Sequence, residues 1–163
     1  MSGAPSTIVH HLVTLRVENR AGVLVRVAGL FARRGYNIVS LAVAPTEDAR
    51  FSRISIVVDV ESAPLGQIVE QLDKLVNVVE IVEMAPDQAT ESELLLATVT
   101  SPAASLEEVL AGTGAEIVDS SGTNTTVRLT ASPEELDRFA DALFPYGISE
   151  LQRTGRIALP KLT

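Results

Sequence analysis

Hydrophobic and polar positions alternate over Val13, Leu15 and Val17 against Thr14, Arg16 and Glu18, the period of a strand with one buried and one wetter face. The period then lengthens. Val23, Val27, Leu30 and Phe31 recur at i, i+4, i+7 and i+8 while Arg26 and Arg33 project from another face, which predicts a helix from Gly22 to Arg34. Gly35 ends it, since glycine accepts the left-handed conformation just past a helix, and Arg33 and Arg34 place positive charge at the negative end of the dipole. Ile38 to Ala44 reads as a second strand and Pro45 to Ala49 as a hairpin loop. In the third strand Ser52, Ile54, Ile56, Val58 and Val60 share one face, with Arg53, Ser55 and Asp59 on the other. Ser62-Ala63-Pro64 opens a second helix that carries Leu65, Ile68, Val69, Leu72 and Leu75 inward, and a strand from Val76 to Met84 closes the unit.

Residues 85–91 hold a proline and no apolar pattern, so they read as a linker. The order then repeats. A strand from Glu93 to Thr100 leads to a short helix opened by a capping box over Ser105 to Glu108, and strands follow at Ala115 to Asp119 and Thr125 to Thr130. Ser132-Pro133-Glu134-Glu135 starts the last helix, with Leu136, Phe139, Ala140, Leu143 and Phe144 on its buried side, and Ile148 to Thr154 forms the last strand. The fold class is α+β: two tandem ferredoxin-like βαββαβ units, each a four-stranded antiparallel sheet with both helices on one face and the first and third strands central. The partition is a flexible tail over 1–8, a first domain over 9–84, the linker over 85–91, a second domain over 92–156 and a tail over 157–163. That last tail is apolar but has little room for an element, so docking on a partner or disorder is expected of it.

Composition narrows the function. With 163 residues and 46% hydrophobic content the chain can bury a real core, and a net charge of -8 argues against general nucleic-acid binding. The absence of cysteine removes disulfides, thiolate metal sites and cysteine nucleophiles. Met1 to Thr7 is small and polar without a positive n-region, and every apolar run falls short of the ~20 residues that span a bilayer, so a cytoplasmic protein is expected.

The signatures of catalysis are missing. His10 and His11 are adjacent in a strand and point to opposite faces, so they do not share a metal; Gly112-Thr113-Gly114 lacks the third glycine of a dinucleotide loop; the 21 acidic residues are scattered over solvated surfaces. Neither a catalytic residue nor a metal site is predicted. Arg26 and Arg33 read either as a solvated helix face or as a docking surface for an acidic partner. An acylphosphatase-like enzyme needs an arginine beside a phosphate-cradling loop, which Arg16 followed by Asn19 to Gly22 imitates only weakly.

The turn between the first strand and helix has more to offer. Gly22 leaves the first helical amides unobstructed, and these favour a carboxylate or phosphate by roughly 0.3 to 1 kcal/mol, up to ~2 when partly buried. Equally, Asn19 can simply cap the turn and Gly22 relieve crowding. The run from Glu18 to Ile38, the join Arg34-Gly35-Tyr36-Asn37-Ile38, and Val43-Ala44-Pro45-Thr46 together resemble the small regulatory subunit of acetolactate (acetohydroxyacid) synthase, whose first half is an ACT domain. The resemblance implies a non-catalytic subunit that binds and activates a larger catalytic subunit in branched-chain amino acid biosynthesis and confers feedback inhibition by valine, leucine or isoleucine. Thiamine diphosphate, magnesium and FAD are then expected on that partner and no cofactor on this chain. The family's effector site maps onto Asn19, Gly22, Val23 and Leu24 of one protomer and Asn37 and Ile38 of the other in a homodimer. Val25 and Arg20-Ala21 depart from common relatives, which bears on the effector's identity more than on the fold. The alternative is a free-standing ACT-domain sensor that regulates another enzyme or transcription.

Overall fold

The computed structural model describes residues 10–59 and 65–163. The expected tail over 1–8, Val60 and the Ser62-Ala63-Pro64 helix start lie outside the described residues. The chain divides into two compact units, the first made of residues up to Thr90 together with Ala158–Thr163, the second of Glu91–Ile157.

In the first unit β1 (His10–Glu18), α1 (Val23–Arg33), β2 (Asn37–Pro45), β3 (Phe51–Asp59), α2 (Leu65–Asp73) and β4 (Val78–Met84) follow in order. The sheet order is β2-β3-β1-β4, all antiparallel, with β1 and β3 central. Val13, Leu15 and Val17 of β1 meet Val23, Val27 and Phe31 of α1, Ile54, Ile56 and Val58 of β3 and Leu65, Ile68 and Leu72 of α2 in one core. The period-two and helical patterns therefore converge on one side of the sheet, as the ferredoxin-like reading requires. Gly35 stands at φ +73°, and Arg34 and Gly35 close α1 by donating to Phe31 and Ala32 carbonyls.

The other face of this sheet is not uniformly wet. Ser55 and Val57 of β3, placed by alternation on the polar side, are both buried, and Leu12, Val57, Met84, Ala89 and Ala158 form a second apolar cluster. Two stretches expected to lack structure build it. Residues 85–91 are not a patternless linker: Pro86–Gln88 makes a tight 3-10 turn and Ala89 already begins β5 (Ala89–Val99). The final tail likewise contains a strand, β9 (Ile157–Pro160), which pairs with β5. Ala158 enters the cluster of the first unit, and the Lys161 amide donates to the Gln88 carbonyl at 2.9 Å. A single small inward residue in a short polar-flanked run carries too weak a periodicity to be read as a strand.

The second unit repeats the topology with β5, α3 (Glu107–Leu110), β6 (Glu116–Ser121), β7 (Asn124–Ala131), α4 (Pro133–Leu143) and β8 (Ile148–Arg153), in the sheet order β6-β7-β5-β8. Leu95, Ala97 and Val99 pack with Leu106, Val127, Leu129, Leu136, Phe139 and Leu143. The capping box at α4 is present: the Glu135 amide donates to Ser132 Oγ, and the Ser132 amide donates to Glu135 Oε2 at 3.0 Å. The one expected at Ser105 is not. Pro102 starts a 3-10 turn over Ala103–Leu106, the Ser105 amide donates to the Pro102 carbonyl, and α3 begins only after that turn, with no side-chain cap. Phe144 also differs from expectation, being 78% exposed, because α4 ends at Leu143 and the chain tightens into a 3-10 turn over Phe144–Tyr146.

Near the start of the second unit Glu91 lies 3.6 Å from Arg156. Burial pushes the Glu91 carboxyl above its ordinary value of 4.5, and Arg156 offsets this only in part. The folded state thus holds that proton more tightly than the unfolded chain, so stability falls as pH rises from 4.5 through the raised folded value. Glu91→Gln is expected to raise the unfolding midpoint of the second unit modestly at pH 7 and to leave it unchanged below pH ~4, where both side chains are neutral. Thermal melts of both chains at the two pH values check this.

Candidate functional site

The turn after β1 is held from the side by a hairpin. The Asn19 amide donates to the Arg50 carbonyl at 2.8 Å and Asn19 Nδ2 donates to the Ala49 carbonyl at 3.1 Å, which ties the turn to the β2–β3 loop. That loop is itself braced. Thr46 Oγ1 bonds the Asp48 backbone in both directions, and Arg50 grips both carboxylate oxygens of Asp48. The Arg50 guanidinium holds the Asp48 carboxyl down at about 2, so the clasp stays charged throughout the physiological range. Sequence reading saw Pro45 to Ala49 only as a loop; the Thr46-x-Asp48 spacing was the available signal of an internally bonded turn.

Gly22 precedes α1 at φ +85° with no side-chain cap. A glycine suits this left-handed position, and its missing side chain leaves space, since nothing lies within 4 Å of where a Cβ would stand. The Val23 amide makes a long bond to the Arg20 carbonyl at 3.4 Å, while the Gly22, Leu24 and Val25 amides have no partner among the described residues. Open amides at the positive end of a helix dipole can receive a carboxylate. The side chains divide differently from the backbone. Val23 points into the core at 5% exposure, so only its amide faces the turn, whereas Leu24 is 38% and Val25 74% exposed.

Asn37 and Ile38 stand elsewhere. The register runs Asn37 to Asp59 to His10, whereas Phe51 lies opposite Glu18 at the other end of β1. Eight residues at ~3.3 Å each put Asn37 roughly 26 Å from the Asn19 turn along the sheet of a single chain. The structure therefore brings Asn19, Gly22, Val23 and Leu24 together and leaves Asn37 and Ile38 at the far end. Asn37 is exposed, and Ile38 is half-buried against the core. Between them β2 runs along the edge of the sheet with Leu41 and Val43 about two-fifths exposed and paired in register to the core-facing Ile56 and Ile54. Half-exposed aliphatics beside an unpaired strand edge form an apolar rim next to the turn that sequence reading did not single out. The two histidines lie in β1 with neighbours in register at Asp59 and Val58, and no group of three His, Asp or Glu side chains among the described residues could hold a metal.

A ferredoxin-like unit with an open glycine turn before its first helix and an apolar β2 edge has the architecture of an ACT-type regulatory module, here followed by a second unit of the same topology. The comparisons agree over nearly the whole chain. Residues 13–80 match the AHAS small subunit-like ACT domain, and residues 92–162 match the family described as small subunit of acetolactate synthase. The chain belongs to the acetolactate synthase small subunit family. It is 41% identical to the acetolactate synthase small subunit of Mycolicibacterium smegmatis over 93% of this chain and 91% of that one. To the probable small subunit of Archaeoglobus fulgidus it is 39% identical over 91% and 95%. The crystal structure of the Thermotoga maritima small subunit superposes with a TM-score of 0.86 at 31% identity, covering 96% of this chain and 99% of that one.

Proposed function

We infer that the protein is the regulatory subunit of acetolactate synthase, which binds and activates the catalytic subunit and transmits feedback inhibition by a branched-chain amino acid, valine first among them. The observation that carries the effector site is the open turn at Gly22, with unpartnered amides for a carboxylate and the Asn19 amide group beside them. Asn19 Nδ2 is already used by Ala49, which turns its acceptor oxygen to the service of an ammonium group.

A second copy completes the site. Antiparallel pairing of two β2 edges about Leu41 sets Asn37 of one protomer against Pro45 of its partner, and Pro45 is joined through Ser52 to Val17 at the turn end of β1. A homodimer formed this way covers the Leu41 and Val43 rim and unites the two halves of the site that one chain holds apart. The apolar rim then selects small aliphatic side chains, although one methylene separates ligands by only about 1 to 3 kcal/mol, so isoleucine and leucine compete. The thiamine diphosphate, magnesium and FAD of the synthase belong to the catalytic subunit in this reading, and the assembly works in the cytoplasm.

Calorimetric titration of the isolated chain with L-valine, with L-lysine as control, tests the effector site. Saturable, valine-selective heat near one ligand per protomer is expected. Equal responses to the two amino acids would remove the apolar rim from the proposal, and failure of the chain to raise synthase activity when mixed with the catalytic subunit would remove the regulatory role.

A further inference from the structure

The arginines of this chain fall into two groups. Arg16, Arg20, Arg50, Arg128, Arg153 and Arg156 each stand within 4 Å of a carboxylate. The other five, Arg26, Arg33, Arg34, Arg53 and Arg138, have no carboxylate within that distance among the described residues, and three of these five, Arg26, Arg33 and Arg34, stand together on α1 or at its end, although carboxylates outnumber cations by 8 in the whole chain. They are nevertheless positioned. Arg26 Nη1 donates to Asn77 Oδ1 at 3.0 Å and Arg34 Nη1 donates to Gln67 Oε1 at 3.2 Å, so neutral amides orient two of the guanidiniums without cancelling their charge.

Arg26, Leu30 and Arg33 lie at i, i+4 and i+7 on the flank of α1 that faces α2. On α2 the row at the same spacing is Gln67 and Gln71, continued just past the helix end by Lys74, which adds a further cation and no carboxylate; the acidic residues of that helix, Glu70 and Asp73, occupy other positions. A groove of about 260 Å³ runs between the helices, lined by Leu30, Arg33, Arg34, Ile68 and Gln71. Leu30 and Ile68 make its lining partly aliphatic, Arg33 and Arg34 make the α1 side basic, and Gln71 leaves the α2 side neutral and polar. Arg33 and Arg34 answer the negative end of the α1 dipole, but Arg26 sits two turns earlier, where the dipole gives no reason for a cation.

We propose that the groove between α1 and α2 is the docking surface for an acidic segment of the catalytic subunit, seated on Arg26, Arg33 and Arg34. The inference rests on the regulatory reading above and gives it a route. α1 begins at the effector turn and carries the basic flank, so a ligand that fixes the first turn of α1 changes the position of the charges that hold the partner. Only a ligand with different affinities for two placements of α1 can shift that equilibrium, and the turn and the groove share this one rigid element. Charge complementarity selects the occupant: a basic groove attracts an acidic surface and repels the same groove of a second copy.

The test measures binding of the full chain to the purified catalytic subunit at several salt concentrations, for the wild type, Arg26→Glu/Arg33→Glu and, as a control for charge reversal elsewhere on the chain, Arg138→Glu on α4. The double variant is expected to bind at least tenfold more weakly and to lose the salt dependence of the wild type, while valine binding to the isolated variant persists and Arg138→Glu behaves as wild type. Wild-type affinity in the double variant, or an equal loss in Arg138→Glu, would overturn the groove and leave the regulatory role standing. No binding of the wild-type chain to the catalytic subunit would overturn both.

Discussion

Gly22→Asp is expected to weaken valine binding by roughly thirtyfold or more and to abolish feedback inhibition, while activation of the synthase persists. Two effects act together. The new carboxylate can itself accept from the Leu24 and Val25 amides, which have no partner among the described residues, and so competes for the donors the ligand needs. It also places like charge beside the ligand's carboxylate: at ~4 Å and an effective dielectric constant of 20 that repulsion is about 4 kcal/mol, and partial exposure to water reduces it to about 2 kcal/mol. Gly22→Ala separates charge from conformation. Its Cβ meets nothing within 4 Å, so it carries only the strain of φ +85°, about 1–2 kcal/mol. Inhibition curves for the three chains with the same catalytic subunit decide the matter. Unchanged inhibition in the aspartate variant removes the turn from the effector site, and loss of inhibition in the alanine variant alone shifts the cause from charge to backbone.

The second large effect concerns the second unit. Gly147, at φ +79°, follows the 3-10 turn after α4 and accepts from the Thr100 amide at 2.8 Å and from Thr100 Oγ1 at 3.2 Å. A Cβ at this position falls on Thr100 Oγ1. Gly147→Ala therefore combines left-handed strain of about 1–2 kcal/mol with loss of the hydroxyl bond, about 1 kcal/mol, for a total of about 2–3 kcal/mol. In a Thr100→Ala background, which has neither the hydroxyl bond nor the clash, Gly147→Ala should cost only the strain, about 1–2 kcal/mol. Denaturation followed by hydrogen exchange in β5 and β8 gives the values, and a cost below ~0.5 kcal/mol for the single variant would show that the turn readjusts freely.

Most of the architecture was legible because strong periodicities and glycines coincide. β1 and α1 announce themselves by a change of period at Gly22, and α4 by a serine, a proline and a glutamate in capping positions followed by Leu136, Phe139 and Leu143. The errors share a cause. Ser105 has the same capping pattern as Ser132, but Pro102 had already started a turn that consumed the position. Phe144 continues the helical spacing of Phe139 and Ala140, yet the helix stops one residue earlier and the next residue is proline. Local patterns identify candidates for a cap or an inward face; where an element begins and ends decides which candidates are used.

The site was legible in part. Gly22 and the first helical amides follow from the strand-to-helix step, but the β2–β3 clasp on Asn19 and the rim at Leu41 and Val43 depend on which strands become neighbours, information that no window of sequence contains. The resemblance placed Asn37 and Ile38 on the partner protomer, and the register holds the two residues at the far end of the sheet from the turn of their own chain.

The return of Ala158 to the first unit has a consequence for dissecting this protein. The second unit is an insertion in topological terms: the chain leaves the first unit at Thr90 and re-enters it at Ala158, so its two ends are both anchored in the same body. A fragment that stops at Met84 would expose Leu12, Val57 and Met84 without the Ala89 and Ala158 that cover them. The natural excision is instead a loop-out, in which residues 91–157 are replaced by a short linker between Thr90 and Ala158, and only such a minimal chain keeps the amino-terminal unit whole.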